Sequence, residues 1–135
     1  MVVAGRSEPL SRRRVAAAVQ LVLGREGSRA SVTVTFVGAA RMRRLNARWK
    51  GADRATDVLA FTLSLPDGGV LGDIYICRPV ARREAKARRI PVAEELARLV
   101  IHGTLHVIGY DHPEGPDRTQ SPMWRRQERY LACLG

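Results

Sequence analysis

Residues 102–112 read HGTLHVIGYDH and contain all three histidines of the 135-residue chain. An α-helix has about 3.6 residues per turn, so His102 and His106 share one face and can bind one ion. Gly109 stands where a helix C-terminus favours a left-handed residue, and a turn there directs His112 back toward the same point. We therefore predict a metal site at the C-terminal end of a core helix. The alternative is three unrelated core or surface histidines.

The glycine between the first two histidines, Gly103, bears on both the packing and the function of this stretch. Gly103 costs roughly 1 kcal/mol of helix propensity relative to alanine, which indicates that another element packs closely there. The stretch also matches H-E-x-x-H-x-x-G-x-x-H, the zinc-ligand string of the metzincin proteases, except that Gly103 replaces the glutamate. That glutamate is the general base of peptide hydrolysis, so the sequence argues against a protease.

The segments around this stretch predict one α+β domain over residues 1–135, with a small mixed sheet of about four strands packed with about five helices. The β-branched run at residues 31–37 predicts a strand, and the Pro-Asp-Gly-Gly turn at 66–69 predicts a hairpin. Predicted strands are Ser31–Val37, Asp57–Leu65 and Val70–Cys77. Predicted helices run from the Ser11 cap to Gly24, over Ala39–Trp49 and Arg78–Arg89, from Pro91 into the histidines, and from Ser121 through Leu134.

The chain is strongly basic, with 23 Lys and Arg against 13 Asp and Glu and a net charge of +10. That excess favours a polyanionic partner, most simply nucleic acid. An arginine-rich genome explains the preference for Arg over Lys, but it explains the net charge less well. Several arginines near Lys50 could form a track for nucleic acid, although solvated surface charge is the alternative for each of them. These are Arg41, Arg43, Arg44, Arg48 and Arg54.

Neither the cysteines nor the apolar runs suggest an extracellular or membrane protein. Cys77 and Cys133 form no ligand pattern, which predicts two reduced thiols in a cytoplasmic protein. The arginines at 12–14 precede an apolar run as in a signal sequence, but Gln20 interrupts the run and no A-x-A site follows. No stretch approaches the roughly 20 apolar residues of a membrane span, so we expect no membrane partner.

Three further segments occur with the histidine stretch in the order and approximate spacing of the YbeY family. They are LNARWKG at 45–51, TDVLAF at 56–61 and LGDIYI at 71–76. The chain resembles that family from about residue 30 to the C-terminus. The resemblance implies a bacterial endoribonuclease with one bound Zn²⁺ per chain that acts in small-subunit rRNA maturation and ribosome quality control. It also implies ribosomal RNA and ribosomal particles as partners, with ribosomal or GTPase assembly proteins as further candidates.

Carried over by position, the resemblance implies that His102, His106 and His112 are the zinc ligands. Two positions depart from the family pattern. Where the family usually has Tyr-Arg after the Leu-Asn pair, with the arginine important for activity, this chain has Trp-Lys. Lys50 keeps the charge but lacks the planar fork with which arginine binds a phosphate. The usual serine of T-D-V-L-S-F is Ala60, so a hydrogen bond from that hydroxyl is missing.

Three neutral histidines leave a fourth zinc position open, which is typical of catalytic rather than structural sites. We expect hydrolysis of an RNA phosphodiester, with His112 as ligand, Lys50 stabilising the negative charge of the transition state, and Asp111 beside the metal. Asp111 either orients an imidazole or is a turn residue. For Asp57 a loop-capping role and a site role both stand, and Asp73, which follows Gly72, is a further site candidate.

Two other functions remain open. The chain could be an RNA-binding ribosome-assembly factor whose zinc is structural, or a metal-dependent hydrolase of a small molecule. The sequence does not determine the oligomeric state.

Overall fold

The computed structural model describes residues 1–111, 119 and 121–135. Within these residues the chain forms four strands and five α-helices, which confirms the predicted α+β fold class. In chain order the elements are β1 (Val2–Ala4), α1 (Arg12–Arg25), β2 (Ser31–Val37), α2 (Ala39–Lys50), β3 (Val58–Ser64), β4 (Val70–Cys77), α3 (Arg78–Arg88), α4 (Val92–Val107) and α5 (Pro122–Leu134).

The strands form one mixed sheet in the order β1-β2-β4-β3. Strands β1, β2 and β4 are parallel, and β3 pairs antiparallel with β4 as the predicted hairpin. Strand β1 has only three residues and was not among the predicted strands. The predicted end of the first helix at Gly24 is wrong by one residue. Helix α1 continues to Arg25 because Gly27, rather than Gly24, takes the positive φ (65°) that ends a helix.

Helix α4 lies on one face of the sheet and contacts α1, α3 and α5 around it. The helix and the sheet meet through two glycines. A Cβ on Gly103 would lie 2.6 Å from Cγ2 of Ile74, and a Cβ on Gly72 would lie 2.4 Å from Cγ1 of Val107. Both distances are too short for any side chain, so the helix sits closer to β4 than a residue other than glycine would allow. The close packing predicted at Gly103 is confirmed.

Helix α2 covers only part of the opposite face. Side chains of β4 alternate, so that Ile74 and Ile76 enter the core under α4 while Cys77 enters a second cluster with Met42 and Leu59. Beyond this second cluster the sheet face is open to solvent. In the described ranges, no helix is both long and apolar enough to cross a bilayer.

Candidate metal centre

Two of the three predicted metal ligands meet on the last turns of α4. The rings of His102 and His106 have centroids 4.6 Å apart and an interplanar angle of 79°. His102 is buried at 5% exposure, whereas His106 is half-buried. The predicted pairing of these two histidines on one helix face is confirmed.

The predicted third ligand, His112, lies outside the described residues. Its roles as ligand and catalytic residue therefore stay predictions. In the described ranges, no three His, Cys, Asp or Glu side chains are grouped as a metal site, so the candidate centre needs a donor beyond the pair on α4.

The turn that leads toward His112 has the predicted form. Helix α4 ends at Val107, and Gly109 follows with a φ of 106°, a backbone angle that favours glycine. The Tyr110 backbone N–H donates to the Leu105 carbonyl at 3.0 Å, which closes the turn on the end of the helix. Asp111 follows as an exposed residue, and its predicted catalytic role is not tested by this geometry.

A buried glutamine from α5 determines how His102 presents its ring. Oε1 of Gln127 lies 2.6 Å from Nδ1 of His102, and Nε2 of Gln127 donates to Glu128 at 3.0 Å. A carboxylate only accepts, so the Gln127 NH₂ group faces Glu128 and its carbonyl oxygen faces His102. Nδ1 of His102 must therefore carry a proton, so that Nε2 is the ring nitrogen with which a neutral His102 would bind a metal ion. This donor chemistry fits a transition-metal ligand.

An ion-pair network holds that glutamine in place. Arg98 donates to Glu128 and to the fully buried Glu95, each at 2.9 Å. Burial raises the pKa of Glu128, but hydrogen bonds from Arg98 and Gln127 outweigh it and the net pKa is lowered. Glu128 therefore stays ionised near neutral pH, where it fixes the orientation of Gln127.

A second carboxylate anchors the turn before His112. Glu26, just after α1, accepts hydrogen bonds from Tyr110 at 2.7 Å, from Arg126 at 2.8 Å and from Tyr130. Burial raises the pKa of Glu26, but these three donors outweigh it and the net pKa falls below the ordinary value of 4.5. One carboxylate thus joins α1, α5 and the turn. Neither Glu26 nor Gln127 could be predicted from the sequence, since neither belongs to a motif.

Lys50 lies elsewhere in the fold. It is the last residue of α2, and its Nζ is 5.9 Å from the ring centroid of Phe61 on β3. Phe61 belongs to the α2 face of the sheet, whereas the two histidines lie on the helix that covers the other face. Among the described contacts Lys50 is thus grouped with aromatic side chains rather than with the histidine pair. Its catalytic role stays a prediction.

Some of the remaining charged candidates bind other residues of the chain, and others lie against aromatic rings or are exposed. Arg43 forms a salt bridge with Asp53 at 2.9 Å, whereas Arg41 and Arg48 lie against aromatic rings. The Asp57 carboxylate accepts from the Thr56 hydroxyl at 3.4 Å. Asp73 is exposed on β4, on the rung of the sheet that also carries Phe61.

The chain is similar to proteins of one family. A family model described as endoribonuclease YbeY matches residues 7–135. An endoribonuclease YbeY from Halorhodospira halophila (strain DSM 244 / SL1) is 38% identical over 139 residues, which cover 98% of this chain and 88% of the relative. Another from Anaeromyxobacter sp. (strain Fw109-5) is 44% identical over 115 residues, which cover 84% of this chain but only 59% of the relative.

A solved structure has the same fold. The solution structure of TM1509 from Thermotoga maritima matches with a TM-score of 0.69 and 28% sequence identity, and the match covers 99% of this chain and 89% of that one. The similarity therefore extends over the elements that carry the histidine pair and over those that carry Lys50.

Proposed function

Because this chain belongs to the endoribonuclease YbeY family, we propose that it is a zinc-dependent endoribonuclease that cuts single-stranded RNA during maturation of small-subunit ribosomal RNA. The observation that carries the proposal is the orientation of His102. Its Nδ1 is engaged by Gln127 at 2.6 Å, and its ring lies 4.6 Å from that of His106 between centroids, so that Nε2 is the nitrogen that would bind the ion. A histidine held in one tautomer by a buried acceptor is typical of metal ligands.

His102, His106 and His112 would hold the zinc ion. When bound, zinc supplies Lewis acidity that activates a water or polarises a phosphoryl oxygen. The chain itself contributes positioning, since Gln127 keeps the His102 ring in one orientation and Glu26 ties down the turn before His112. Its net charge of +10 attracts RNA, and the association should weaken as salt rises.

The proposal extends to the cell. We place the activity in the cytoplasm, on ribosomal RNA within ribosomal particles, with a part in ribosome quality control and with ribosomal or GTPase assembly proteins as candidate partners. These statements rest on family membership alone. Asp111 is proposed to assist catalysis as a neighbour of the metal, and Lys50 to stabilise negative charge on the bound RNA.

The test compares wild type with His106→Ala, purified in parallel, on a labelled single-stranded RNA. His106 is half-buried on a helix, so alanine there should be tolerated by the fold. We expect wild type to hold about one zinc and to cut, and the variant to lose cleavage by roughly a hundredfold or more. The affinity of the variant for RNA should change by less than about threefold. Gln20→Ala, an exposed change on α1, is the matched control.

A contaminating nuclease would cut equally in both preparations, and that result would contradict the proposal. Zinc content and the unfolding midpoint, measured on the same samples, separate loss of metal from loss of fold.

One observation favours a second candidate, an RNA-binding assembly factor with a structural zinc. The hydrogen-bond network from His102 through Gln127 and Glu128 to Arg98 joins α4 to α5, so a metal there could also stabilise the packing of these helices. In that case wild type with zinc would bind RNA without cutting it, and His106→Ala would lower the unfolding midpoint.

A further inference from the structure

Three aromatic rings form a row on the α2 face of the sheet. The centroid of Trp49 is 5.7 Å from that of Phe61, which is 6.1 Å from that of Tyr75. The three residues come from α2, β3 and β4, so the row exists only in the folded chain. Trp49 is 58% exposed, which is unusual for a tryptophan in a monomer without a binding role for that surface.

Each ring of this row has a cation against it. Arg48 lies 5.3 Å from the Trp49 centroid, and Lys50 lies 5.9 Å from that of Phe61. Arg41 lies 5.9 Å from the centroid of Tyr75. All three distances are within the roughly 6 Å reach of cation–π attraction. The described salt bridges on α2 engage Arg43 and leave these three cations free to meet an anion from outside.

The row continues into an open depression of the sheet. This depression measures about 290 Å³ and is lined in part by Phe61, Thr33, Asp73, Leu63 and Leu71. Leu63 and Leu71 are exposed at 59% and 42%. Flat apolar surface therefore extends the aromatic row across the strands, with one carboxylate able to accept hydrogen bonds from base amino groups.

We propose that this aromatic and cationic surface binds single-stranded RNA, with bases stacked on Trp49 and Phe61 and phosphates held by Arg41, Arg48 and Lys50. The inference rests on the proposed function in taking RNA as the partner. Aromatic rings that accept bases, interleaved with cations that accept the backbone, are the combination with which proteins bind single strands. A duplex does not fit, because its bases are stacked on one another.

The position of the surface gives it a role distinct from cutting. It lies on the face of the sheet opposite α4, which carries the histidine pair. Nucleotides bound there would differ from those held beside the histidine pair. The surface therefore determines affinity for unpaired RNA, while the metal centre determines the rate of cleavage.

The experiment measures binding of an eight-nucleotide 2′-O-methyl oligoadenylate, checked for integrity on a gel, to the zinc-loaded full chain. Trp49→Ala should weaken binding about tenfold, as expected for loss of one stacked base. Trp49→Phe keeps a ring and should stay within about threefold of wild type. The ligand should quench tryptophan fluorescence in wild type, and this part of the signal should disappear in both variants, leaving that of Trp124.

Arg48→Gln tests the cations against Arg13→Gln, a matched loss of charge on the exposed side of α1. We expect Arg48→Gln to weaken binding about fivefold and to reduce the salt slope by about one, as for one lost phosphate contact. Arg13→Gln should have a smaller effect on both.

Wild-type affinity in Trp49→Ala would overturn the inference, as would equal affinity for a duplex of the same length, because both results mean attraction by charge alone. Failure of the proposed function is a separate result. If wild type binds the oligonucleotide by stacking but cuts no RNA, the proposed cleavage is wrong and the inferred RNA-binding surface remains supported. If it cuts RNA and Trp49→Ala binds normally, only this inference fails.

Discussion

Helices α4 and α2 lie on opposite faces of one sheet, and the polar side chains on the two faces have different surroundings. On the α4 face, His102 is held by a buried glutamine and the following turn by a three-donor carboxylate. On the α2 face, Arg48 and Lys50 touch only rings among their described contacts and point toward solvent. The contrast shows that a metal centre needs side chains held in place by their neighbours, whereas an exposed surface can bind a flexible polymer.

The largest effect should come from filling the contact between α4 and the sheet. Gly103→Val would place a side chain where a Cβ already lies 2.6 Å from Ile74, and we expect it to lower the free energy of unfolding by about 3 kcal/mol. Urea unfolding measures this. Gly38→Ala is the control, since a Cβ there meets nothing within 4 Å. Stability of Gly103→Val within about 0.5 kcal/mol of wild type would mean that the helix can move off the sheet at little cost.

The next effect concerns how firmly the α4 face holds its ligand histidine. Gln127→Leu keeps the volume but removes the acceptor for Nδ1 of His102, and we expect zinc affinity to fall about 10- to 100-fold. Competition with a chelator measures the affinity, and Gln20→Leu on the exposed side of α1 is the control. Unchanged zinc affinity would show that Gln127 does not orient the ring.

Glu26→Gln should have a smaller effect and lower the free energy of unfolding by about 1–2 kcal/mol at neutral pH, because it weakens three charge-assisted hydrogen bonds. The pKa of Glu26 is lowered from 4.5 in the folded chain. Its contribution is therefore present above pH 4.5 and is lost as the pH falls through the lower folded-state pKa.

Urea unfolding at neutral and acid pH checks this prediction. Wild type should lose more stability on acidification than Glu26→Gln does, and Glu84→Gln on α3 should follow wild type. Parallel pH profiles of wild type and Glu26→Gln would contradict it.

The smallest effect should come from the open face. Leu71→Thr replaces a side chain that is 42% exposed, and we expect a change of less than about 0.5 kcal/mol in the free energy of unfolding. Ile74→Val, three residues along the same strand but fully buried under α4, should cost about 1 kcal/mol. If Leu71→Thr costs more than Ile74→Val, the depression is covered in solution and the two faces are alike.

The sequence predicts features that arise between near neighbours in the chain. The shared face of His102 and His106, the close approach at Gly103 and the turn at Gly109 all follow from helix geometry and from glycine. Strand β1 could not be predicted, because three residues are too few to show an alternating pattern. Its pairing partner Thr33 on β2 comes beside it only in the folded chain. The roles of Gln127 and Glu26 could not be predicted for a related reason.

Their hydrogen-bond partners are 25 and 84 positions away. Nothing in a pattern of apolar residues says which polar side chain will be buried against a distant one. The aromatic row of Trp49, Phe61 and Tyr75 likewise needs three elements to assemble before it becomes visible.

The strand order has a consequence for how the chain folds. The hairpin partners Ser64 and Val70 are six positions apart, whereas Ser31 and Leu71, which pair β2 with β4, are separated by 40. Because closing a longer loop costs more entropy, the hairpin should form early and the parallel pairing later. Strand β1, three residues long at the sheet edge, then joins a surface already built, and its amide hydrogens should be among the first in the sheet to exchange with solvent.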